Sequence, residues 1–248
     1  MMDRWVDKVA VVTGASSGIG DAIARRLAKD GLKVAALARR ADRLQALERE
    51  VKESGARGLV KGYTCDVTSE SDVDAVFKKI EKDLGPVHIL VNNAGVSPQA
   101  NLTDMDLANA KVMIDTNITA VLSCTKAAIA SMKPNAAEGH IINISSIYGH
   151  LNQPMSIIGL YSATKHALNI LSVTTRSQLK AENIPIRLTT VSPGLVKSEM
   201  SAGFVDHLKL GQYVLAEDIA DSVAFAIASP SHVNISDIRV EPVSDFKY

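Results

Sequence analysis

The sequence predicts an α/β fold in which a doubly wound parallel sheet of about seven strands carries helices on both faces. Short apolar segments rich in β-branched residues alternate with longer segments of helical periodicity along nearly all of the 248 residues. Because the strands are continuously apolar and separated by helices, we expect a parallel sheet buried on both faces. No linker, repeat or low-complexity stretch interrupts the pattern, so we expect a single domain over residues 1–248.

The elements follow in order from this pattern. The predicted strands are 9–12, 33–38, 58–64, 87–91, 140–144, 186–191 and 237–241. The predicted helices are 18–30, 41–54, 69–83, 103–132 with a break inside, 160–183 and 216–228. Gly31 and the pair Gly85 and Pro86 are helix stop signals. Ligands of such sheets bind beyond the carboxyl ends of the strands, so the residues that follow each strand are the first candidates for function.

Composition excludes several classes of partner. Lys plus Arg equal Asp plus Glu at 27 each, so no overall charge indicates nucleic acid or an anionic membrane. Cys65 and Cys124 lie far apart and are expected to be buried small residues of a protein in a reducing, cytoplasmic environment. The charged start of the chain does not suit a signal peptide, and we expect no membrane span. The histidines have no metal-ligand spacing, so no metal site is predicted.

A glycine-rich turn follows the first strand. The string TGASSGIG from Thr13 leads directly into a predicted helix, and its candidate ligand-binding residues are Gly14, Ser16, Ser17, Gly18, Ile19 and Gly20. Glycines here allow a tight turn and close approach of a pyrophosphate, and the helix N-terminus offers amides and partial positive charge. A purely backbone role is the alternative for the motif alone, but the strand before it and the helix after it favour dinucleotide binding.

Two arginines end the second strand, where an enzyme that uses NAD usually carries an acid. A guanidinium binds phosphate through paired hydrogen bonds, so Arg39, with Arg40 beside it, predicts NADP(H) in preference to NAD(H). The alternative is two solvated arginines at the start of a helix.

The third and fourth strands also end in candidate residues. Asp66, followed by Val67, could accept from an adenine amino group; a helix N-cap is the competing role, but Thr68 and the serine after it supply a better cap. Asn93, Ala94 and Gly95 permit close approach of a cofactor, and the asparagines of this segment could equally tie strands together.

The segment YSATK places Tyr161 and Lys165 four residues apart on a predicted helix, and hence on one face. A free phenol has a pKa of about 10, and a nearby ammonium is expected to lower that pKa toward neutral values. An exposed pair on a solvated face is the ordinary alternative. Ser145 and Ser146, at the end of the fifth strand, favour a reacting site, since a hydroxyl there could hold a substrate oxygen. Asn117, within the long fourth helical region, is either a binder of water or a backbone carbonyl, or a satisfied buried amide.

These motifs occur together and in order, and with the string SPG at Ser192 they resemble the short-chain dehydrogenase/reductase family along essentially the whole chain. The resemblance implies a single Rossmann-type domain and an oxidoreductase with the tetrad Ser146, Tyr161, Lys165 and Asn117. Tyr161 would then be the general acid/base, and Lys165 would bind the nicotinamide ribose. Ser146 would orient the substrate oxygen, and Asn117 would organise a water of the proton relay.

The choice between the two serines rests on the same resemblance. Ser146 precedes Tyr161 by fifteen residues, where many family members have thirteen, but the segment resembles a subgroup in which the second serine aligns as catalytic. The opening segment and the string LARRADRL resemble, within that family, insect farnesol dehydrogenase-like enzymes and mammalian reductases of steroid ketones. Farnesol or a similar isoprenoid alcohol is therefore the first expected substrate, and a steroid or ecdysteroid ketone the second.

The segment after the sixth strand resembles the family's loop at the nicotinamide. Its candidate cofactor residues are Pro193, Gly194, Val196 and Ser198. A substrate lid is predicted at about 195–215, with Met200, Phe204, Leu208 and Tyr213 as apolar candidates whose alternative is ordinary packing. The resemblance also implies a homodimer or homotetramer formed through the helices at 103–132 and 160–183. A dinucleotide-binding module without catalysis is the alternative function.

Overall fold

A computed structural model describes residues 2–135, 138–205 and 212–244. Its strands are β1 Val9–Thr13, β2 Lys33–Ala38, β3 Leu59–Thr64, β4 Val87–Asn92, β5 Gly139–Ile144, β6 Ile186–Pro193 and β7 Asp237–Val240. Its α-helices are α1 Gly18–Lys29, α2 Ala41–Glu53, α3 Glu70–Leu84, α4 Leu107–Ile114, α5 Ala120–Met132, α6 Gly159–Ala181, α7 Ala202–Val205 and α8 Ala216–Ala228. The predicted seven strands and all six predicted helical regions are therefore confirmed, with ends that shift by a few residues.

The strands form one parallel sheet in the order β3-β2-β1-β4-β5-β6-β7. Every residue of β1, β4, β5 and β6 is buried, as continuously apolar strands between two layers of helices must be. Helices α1, α2 and α8 pack on one face, and α3, α5 and α6 pack on the other. The strand order reverses direction at β1 and β4, which places the ends of these two strands at the switch point of the sheet.

Helix ends follow the predicted signals. Gly31 and Gly85 have positive φ values of 97° and 106°, which a residue with a Cβ rarely adopts, and α1 and α3 end just before them. Ser69 caps α3 by accepting from the backbone N–H of Asp72. Cys65 and Cys124 are buried and unpaired, as expected, and burial raises their pKa values to about 11 and about 12.

The long fourth helical region differs from the prediction. It begins at Leu107 rather than near 103, and the expected break is a π-helical turn, Asp115–Thr119, inside a continuous helix. This helix of 26 residues is long and apolar enough to span a membrane by length and composition alone, contrary to the expectation that no segment would be. In the fold its second half packs against β4 and α3, where a core helix needs the same apolar composition.

Candidate active site

A cavity of about 540 Å³ opens along the carboxyl ends of six strands. Residues that directly follow β1 to β6 line its wall: Gly14, Arg39, Cys65, Asn93, Ser145 and Gly194. Its size lies within the range of about 300 to 1,000 Å³ usual for ligand sites. The strand ends thus bring segments from the whole chain to one cleft, as the sheet predicts.

The glycine-rich turn forms one side of the cleft. Gly14 has a φ of +66°, and a Cβ built there would lie 2.9 Å from the Cα of Ala94. Gly18 also has a positive φ, of +56°. A Cβ at Gly20 would overlap the carbonyl of Gly14 and the amide of Asn93, so Gly20 serves close packing and lies outside the cavity wall. Gly14 and Gly18 are required by the backbone path and line the cleft at the start of α1.

Thr13 joins this turn to the segment after β4. Its Oγ1 accepts from the backbone N–H groups of Asn93 and Ala94, each at 3.0 Å. Asn92 donates to the side chain of Asn143 at 2.9 Å and so links β4 to β5. Asn92 therefore ties two strands together, as the alternative for the asparagines proposed. The backbone at Ala94 also approaches Gly14 closely. Sequence reasoning missed Thr13, whose only signal was a polar residue at the end of a buried strand.

Arg39 and Arg40 both line the cavity but differ in their contacts. Among the described residues, the exposed Arg39 has no side-chain hydrogen bond or ion pair, whereas Arg40 donates to Ser16, Ser17 and Glu199. Neither arginine is buried, so the alternative of solvated side chains applies partly to both.

Asp66 also lies on the cavity wall, with Val67 beside it. Its Oδ1 accepts from the hydroxyl of Thr68 at 2.7 Å and from the Thr68 backbone N–H at 3.0 Å. These bonds, with a smaller contribution from Arg39, hold the pKa of the Asp66 carboxyl below its usual value. Asp66 is therefore ionised at neutral pH and does not cap α3.

Tyr161 and Lys165 lie in the first turns of α6, on one face, as their spacing predicts. Lys165 is only 4% exposed, so the pair is not the solvated one of the ordinary alternative. Its Nζ donates to the carbonyl of Ile144 at 2.9 Å and lies 5.6 Å from the centre of the Tyr161 ring. The ammonium is thus held between the end of β5 and the phenol.

The expected lowering of the tyrosine pKa is wrong for these surroundings. Burial raises the pKa of Tyr161 to about 12, and a hydrogen bond from Ser146 acts in the opposite direction with smaller effect. Burial also lowers the pKa of Lys165 to about 8. The physical reason is that the protein removes water from both groups, and removal of water disfavours the charged form of each.

The two serines after β5 have different partners. Ser146 hydrogen-bonds to Tyr161, and its Oγ accepts from the backbone N–H of Tyr148 at 3.2 Å. Ser145 instead donates to the side chain of Asn169 at 2.7 Å. The geometry therefore places Ser146, the serine chosen from the sequence, beside the phenol.

Asn117 lies in the π-helical turn and is 1% exposed. Its Oδ1 accepts from the backbone N–H of Val96 at 2.9 Å, and its Nδ2 donates to the Val96 carbonyl and to the Thr164 hydroxyl. A Cβ at Gly95 would lie 3.4 Å from that Oδ1, so the glycine leaves room for the amide. The side chain has the backbone carbonyl partner of the first alternative and is also a satisfied buried amide, and it lies behind the cavity wall rather than on it.

A polar network behind the site was missed by the sequence analysis. The His150 ring lies 2.9 Å from the Ser192 hydroxyl through Nε2 and 3.0 Å from an Arg239 nitrogen through Nδ1. Asn169 on α6 donates to the carbonyl of Gly149 at 2.8 Å. These contacts connect β5, α6, β6 and β7, and nothing in the spacing of these residues along the chain indicates that they meet.

The segment after β6 forms the other side of the cleft. Four of its predicted cofactor residues line the wall: Pro193, Gly194, Val196 and Ser198. Met200 also lines the cavity and is half exposed. Tyr213 is absent from the cavity wall as far as the described residues define it, and it lies beneath the ammonium of Lys197 instead. The Phe204 side chain and Leu208, the other lid candidates, lie outside the described residues.

Apolar side chains line the cavity together with Tyr161. They are Val96, Val112, Met155, Ile158, Leu195 and Met200, with Tyr148 beside them. Burial raises the pKa of Tyr148, which keeps this second phenol neutral. Sequence reasoning found only Met200 in this set, since the others lie on separate loops and helices.

These residues fit a dinucleotide. The turn at Gly14 and Gly20 has no room for a Cβ, and Gly18 and Ile19 at the start of α1 line the cleft. Arg39 and Arg40 lie at one end of the cavity wall, and Tyr161 and Lys165 lie at the other. Cations stand at one end and a phenol at the other, the arrangement that a phosphorylated ribose and a reacting ring would each require.

Comparison with known proteins agrees with this geometry. A family model described as short chain dehydrogenase matches residues 8–209. The chain is 39% identical over 246 residues to farnesol dehydrogenase of Aedes aegypti, covering 98% of this chain and 99% of that protein. It is 37% identical over 253 residues to dehydrogenase/reductase SDR family member 11 of Mus musculus, covering 97% and 96% respectively.

Solved structures of similar fold include two described with NADP-type molecules. An alcohol dehydrogenase from the archaeon Thermococcus sibiricus complexed with 5-hydroxy-NADP has a TM-score of 0.85 and 30% identity, covering 97% of this chain and 99% of that one. A metagenomic short-chain oxidoreductase in complex with NADP has a TM-score of 0.82 and 32% identity, covering the same 97% and 99%.

Proposed function

The chain belongs to the short-chain dehydrogenase family, and from this premise we propose that it is an NADP(H)-dependent oxidoreductase of hydrophobic alcohols and ketones. The leading substrate is farnesol or a similar isoprenoid alcohol. A steroid or ecdysteroid ketone is the second candidate.

One observation carries the proposal. The Tyr161 phenol, in contact with Ser146 and 5.6 Å by its ring centre from the buried Lys165 ammonium, lies in the same cavity as the glycine-rich turn. A proton donor, an orienting hydroxyl and a dinucleotide cradle in one cleft are the parts that hydride transfer to or from a carbonyl carbon needs.

Each residue of the site has a separate role in the proposed reaction. The bound coenzyme supplies or accepts the hydride. Tyr161 gives a proton to the carbonyl oxygen in reduction and takes one from the alcohol in oxidation. Ser146 orients that oxygen through its hydroxyl. Lys165 holds positive charge beside the phenol and offers N–H donors to the coenzyme ribose.

In this proposal Asn117 does not line the cavity and acts by positioning residues that do or that lie next to them. Its amide fixes Val96, on the apolar side of the cavity, and Thr164, one residue before Lys165. The carbonyl of Ile144, which accepts from Lys165, fixes the ammonium from the other side. The water relay expected from the family remains part of the proposal.

The preference for NADP(H) rests on charge at the far end of the cleft. Arg39 and Arg40 line the wall after β2, where an acid for the ribose hydroxyl is missing. The solved structures described with NADP-type molecules support this choice. Asp66 and Val67 are proposed to contact the adenine.

The hydrophobic substrate is supported by the apolar residues of the cavity wall. Val112, Met155 and Ile158 lie on its wall with Tyr161, so a long hydrocarbon could pack there while its oxygen reaches the phenol. The similarity to farnesol dehydrogenase of Aedes aegypti favours an isoprenoid alcohol. Met200, on the loop after β6, is the lid residue we propose to contact substrate.

We also propose a homodimer or homotetramer in the cytoplasm. Exposed apolar side chains occur on both of the expected interface helices: Val112, Ile114 and Leu122 on the first, and Ile170 and Val173 on α6. Light scattering on the purified protein would measure the oligomeric mass, and a monomer would contradict this part of the proposal.

A substrate screen tests the function. The absorbance of NADPH would be followed with farnesol, retinoid, steroid and ecdysteroid candidates in both directions. We expect farnesol or a related isoprenoid to give the highest kcat/KM. Tight NADPH binding without turnover of any candidate would favour the non-catalytic module instead.

A further inference from the structure

The loop between β6 and α7, residues 194–201, lies against the glycine-rich turn. The Ser198 Cβ is 3.4 Å from the position of a Cβ at Gly18. The base of the loop is fixed by backbone bonds, since the N–H of Lys197 donates to Val214 and that of Val214 donates to Leu195, each at 2.9 Å. The loop therefore closes over the start of α1 and is anchored at its base.

Glu199 connects the tip of this loop to the arginine end of the cleft. Its carboxylate lies 3.0 Å from Arg40 and 3.9 Å from Arg43, and it also bonds to the Ser17 hydroxyl. The hydrogen bond from Arg40 is the main reason that the pKa of Glu199 lies below its usual value, so the side chain is an anion at neutral pH. Glu199 and Arg40 are 159 residues apart in the sequence.

The Arg40 guanidinium is consequently shared between two kinds of partner. Its Nε and Nη2 donate to Ser16 at 3.1 and 3.0 Å, and Nη2 also donates to Ser17 at 2.7 Å. Its Nη1 donates to Glu199. The serine contacts belong to the dinucleotide turn, whereas the carboxylate takes the donor that a phosphate would use.

A phosphate on the coenzyme ribose, bound by Arg40, would compete with this carboxylate. Two anions at one guanidinium repel each other, and the repulsion is larger at a cleft than in bulk water. Arg39 is exposed and has no ion pair among the described residues. Because it does not contact Glu199, it does not neutralise that carboxylate.

We propose, building on the proposed use of NADP(H), that Glu199 occupies Arg40 in place of the 2′-phosphate and thereby sets the affinity for it. Binding of the phosphate displaces Glu199 and releases the tip of the β6–α7 loop. Glu199 is thus a specificity-determining residue of the cofactor site, on a loop that also carries the cavity residues Val196 and Met200.

The test compares Glu199→Gln with Glu50→Gln. Glu50 lines a second pocket, beside α1 and α2, together with Glu199, and it pairs with Arg25 at 2.7 Å. Its variant therefore makes the same charge change without touching Arg40. The probes are adenosine 2′,5′-bisphosphate and adenosine 5′-monophosphate, which differ only by the 2′-phosphate, with Kd measured by calorimetry. Since an exposed pair contributes at most about 1 kcal/mol, Glu199→Gln should tighten the bisphosphate by about two- to fivefold. The monophosphate should be unaffected, and Glu50→Gln should change neither probe.

The outcomes separate this inference from the function it rests on. If the original protein prefers the bisphosphate but Glu199→Gln leaves that Kd unchanged or weaker, the inference is overturned and the NADP(H) preference stands. If the original protein binds both probes equally, the NADP(H) preference fails, and the inference fails with it.

Hydrogen exchange supplies a readout that a purely structural role would not reproduce. In the original protein the bisphosphate should speed exchange at residues 199–201. In the Glu199→Gln variant, hydrogen exchange at residues 199–201 should already be fast and should not respond to the bisphosphate. Exchange that the bisphosphate slows in the original protein would contradict displacement.

Discussion

The ammonium of Lys165 lies 5.6 Å from the centre of the Tyr161 ring, yet burial raises the pKa of that phenol to about 12. Removal of water from the phenolate, rather than the nearby cation, thus dominates the pKa of Tyr161. The protonated phenol is the form ready to act as an acid, which has a measurable consequence.

Carbonyl reduction and alcohol oxidation should respond differently to pH. Reduction needs the protonated phenol and should hold a plateau near neutral pH, then fall as Lys165 loses its charge with a pKa of about 8. Oxidation needs the phenolate together with the charged Lys165, so it should accelerate from about pH 6 to about pH 8 and then level off as Lys165 loses its proton. The profiles of kcat/KM in the two directions test this, and an oxidation rate that stays flat over that range would mean that Tyr161 ionises well below its raised pKa.

Lys165 should lower stability while it supports activity. Its pKa is lowered from 10.5 to about 8, so burying the charge costs on the order of 3 kcal/mol at neutral pH. This cost is fully present below the folded pKa and disappears as pH rises toward the unfolded value. Lys165→Met should therefore abolish turnover and raise the free energy of unfolding at pH 7 by about 1 to 3 kcal/mol, less the lost bond to Ile144.

Urea unfolding at pH 7 measures that change. Lys126→Met, on the solvent face, is the matched control and should alter stability little. A large loss of stability in Lys165→Met alone would show that the ammonium is a net stabilising group.

Substitution of the two serines after β5 should affect kcat differently. Ser146→Ala removes the partner of Tyr161 and should lower kcat by about a hundredfold, and because it also removes the acceptor of the Tyr148 N–H it should cost about 0.5 to 2 kcal/mol of stability. Ser145→Ala leaves the Asn169 side chain without its donor and should cost about 1 to 3 kcal/mol of stability. Steady-state kinetics and thermal melts on both variants decide this; the opposite assignment would follow if Ser145→Ala gave the greater loss of kcat.

Arg39 should determine the choice of coenzyme. Arg39→Asp places an acid where NAD-binding proteins have one, and it should weaken NADPH by about tenfold to a hundredfold while NADH weakens less or gains. Fluorescence titration with both coenzymes measures the ratio. Arg49→Asp makes the same change at an exposed residue of α2 that lies outside the cavity and away from Glu199. An equal ratio in the two variants would argue against a direct contact between Arg39 and the phosphate.

Local sequence patterns predicted the sheet, because alternating apolar segments and helical periods depend on neighbours along the chain. They also predicted which strand ends line the cleft, since parallel strands bring their carboxyl ends to one edge. The two serines after β5 and the pair Tyr161 and Lys165 were located in this way, whereas the choice of Ser146 over Ser145 came from the family resemblance. Their roles remain predictions.

Other features depend on contacts between distant segments. The π-helical turn that holds Asn117, the His150 network and the pair of Arg40 with Glu199 join residues that no local spacing relates. The raised pKa of Tyr161 depends on how far the fold buries a ring that is still partly exposed at the cavity wall, and composition does not give that quantity. Sequence reasoning therefore predicted a lowered pKa and missed the dominant effect of burial, which raises it.

The most direct test of the account is a pair of measurements on Tyr161→Phe, which removes one oxygen and keeps the ring. Turnover of the best substrate should fall by at least about a hundredfold, because the proton donor is lost. The Kd for NADPH, measured on the same preparation, should stay within about twofold of its original value, since the phosphate and glycine contacts are untouched. Full turnover in this variant would contradict the assignment of Tyr161 as the acid/base.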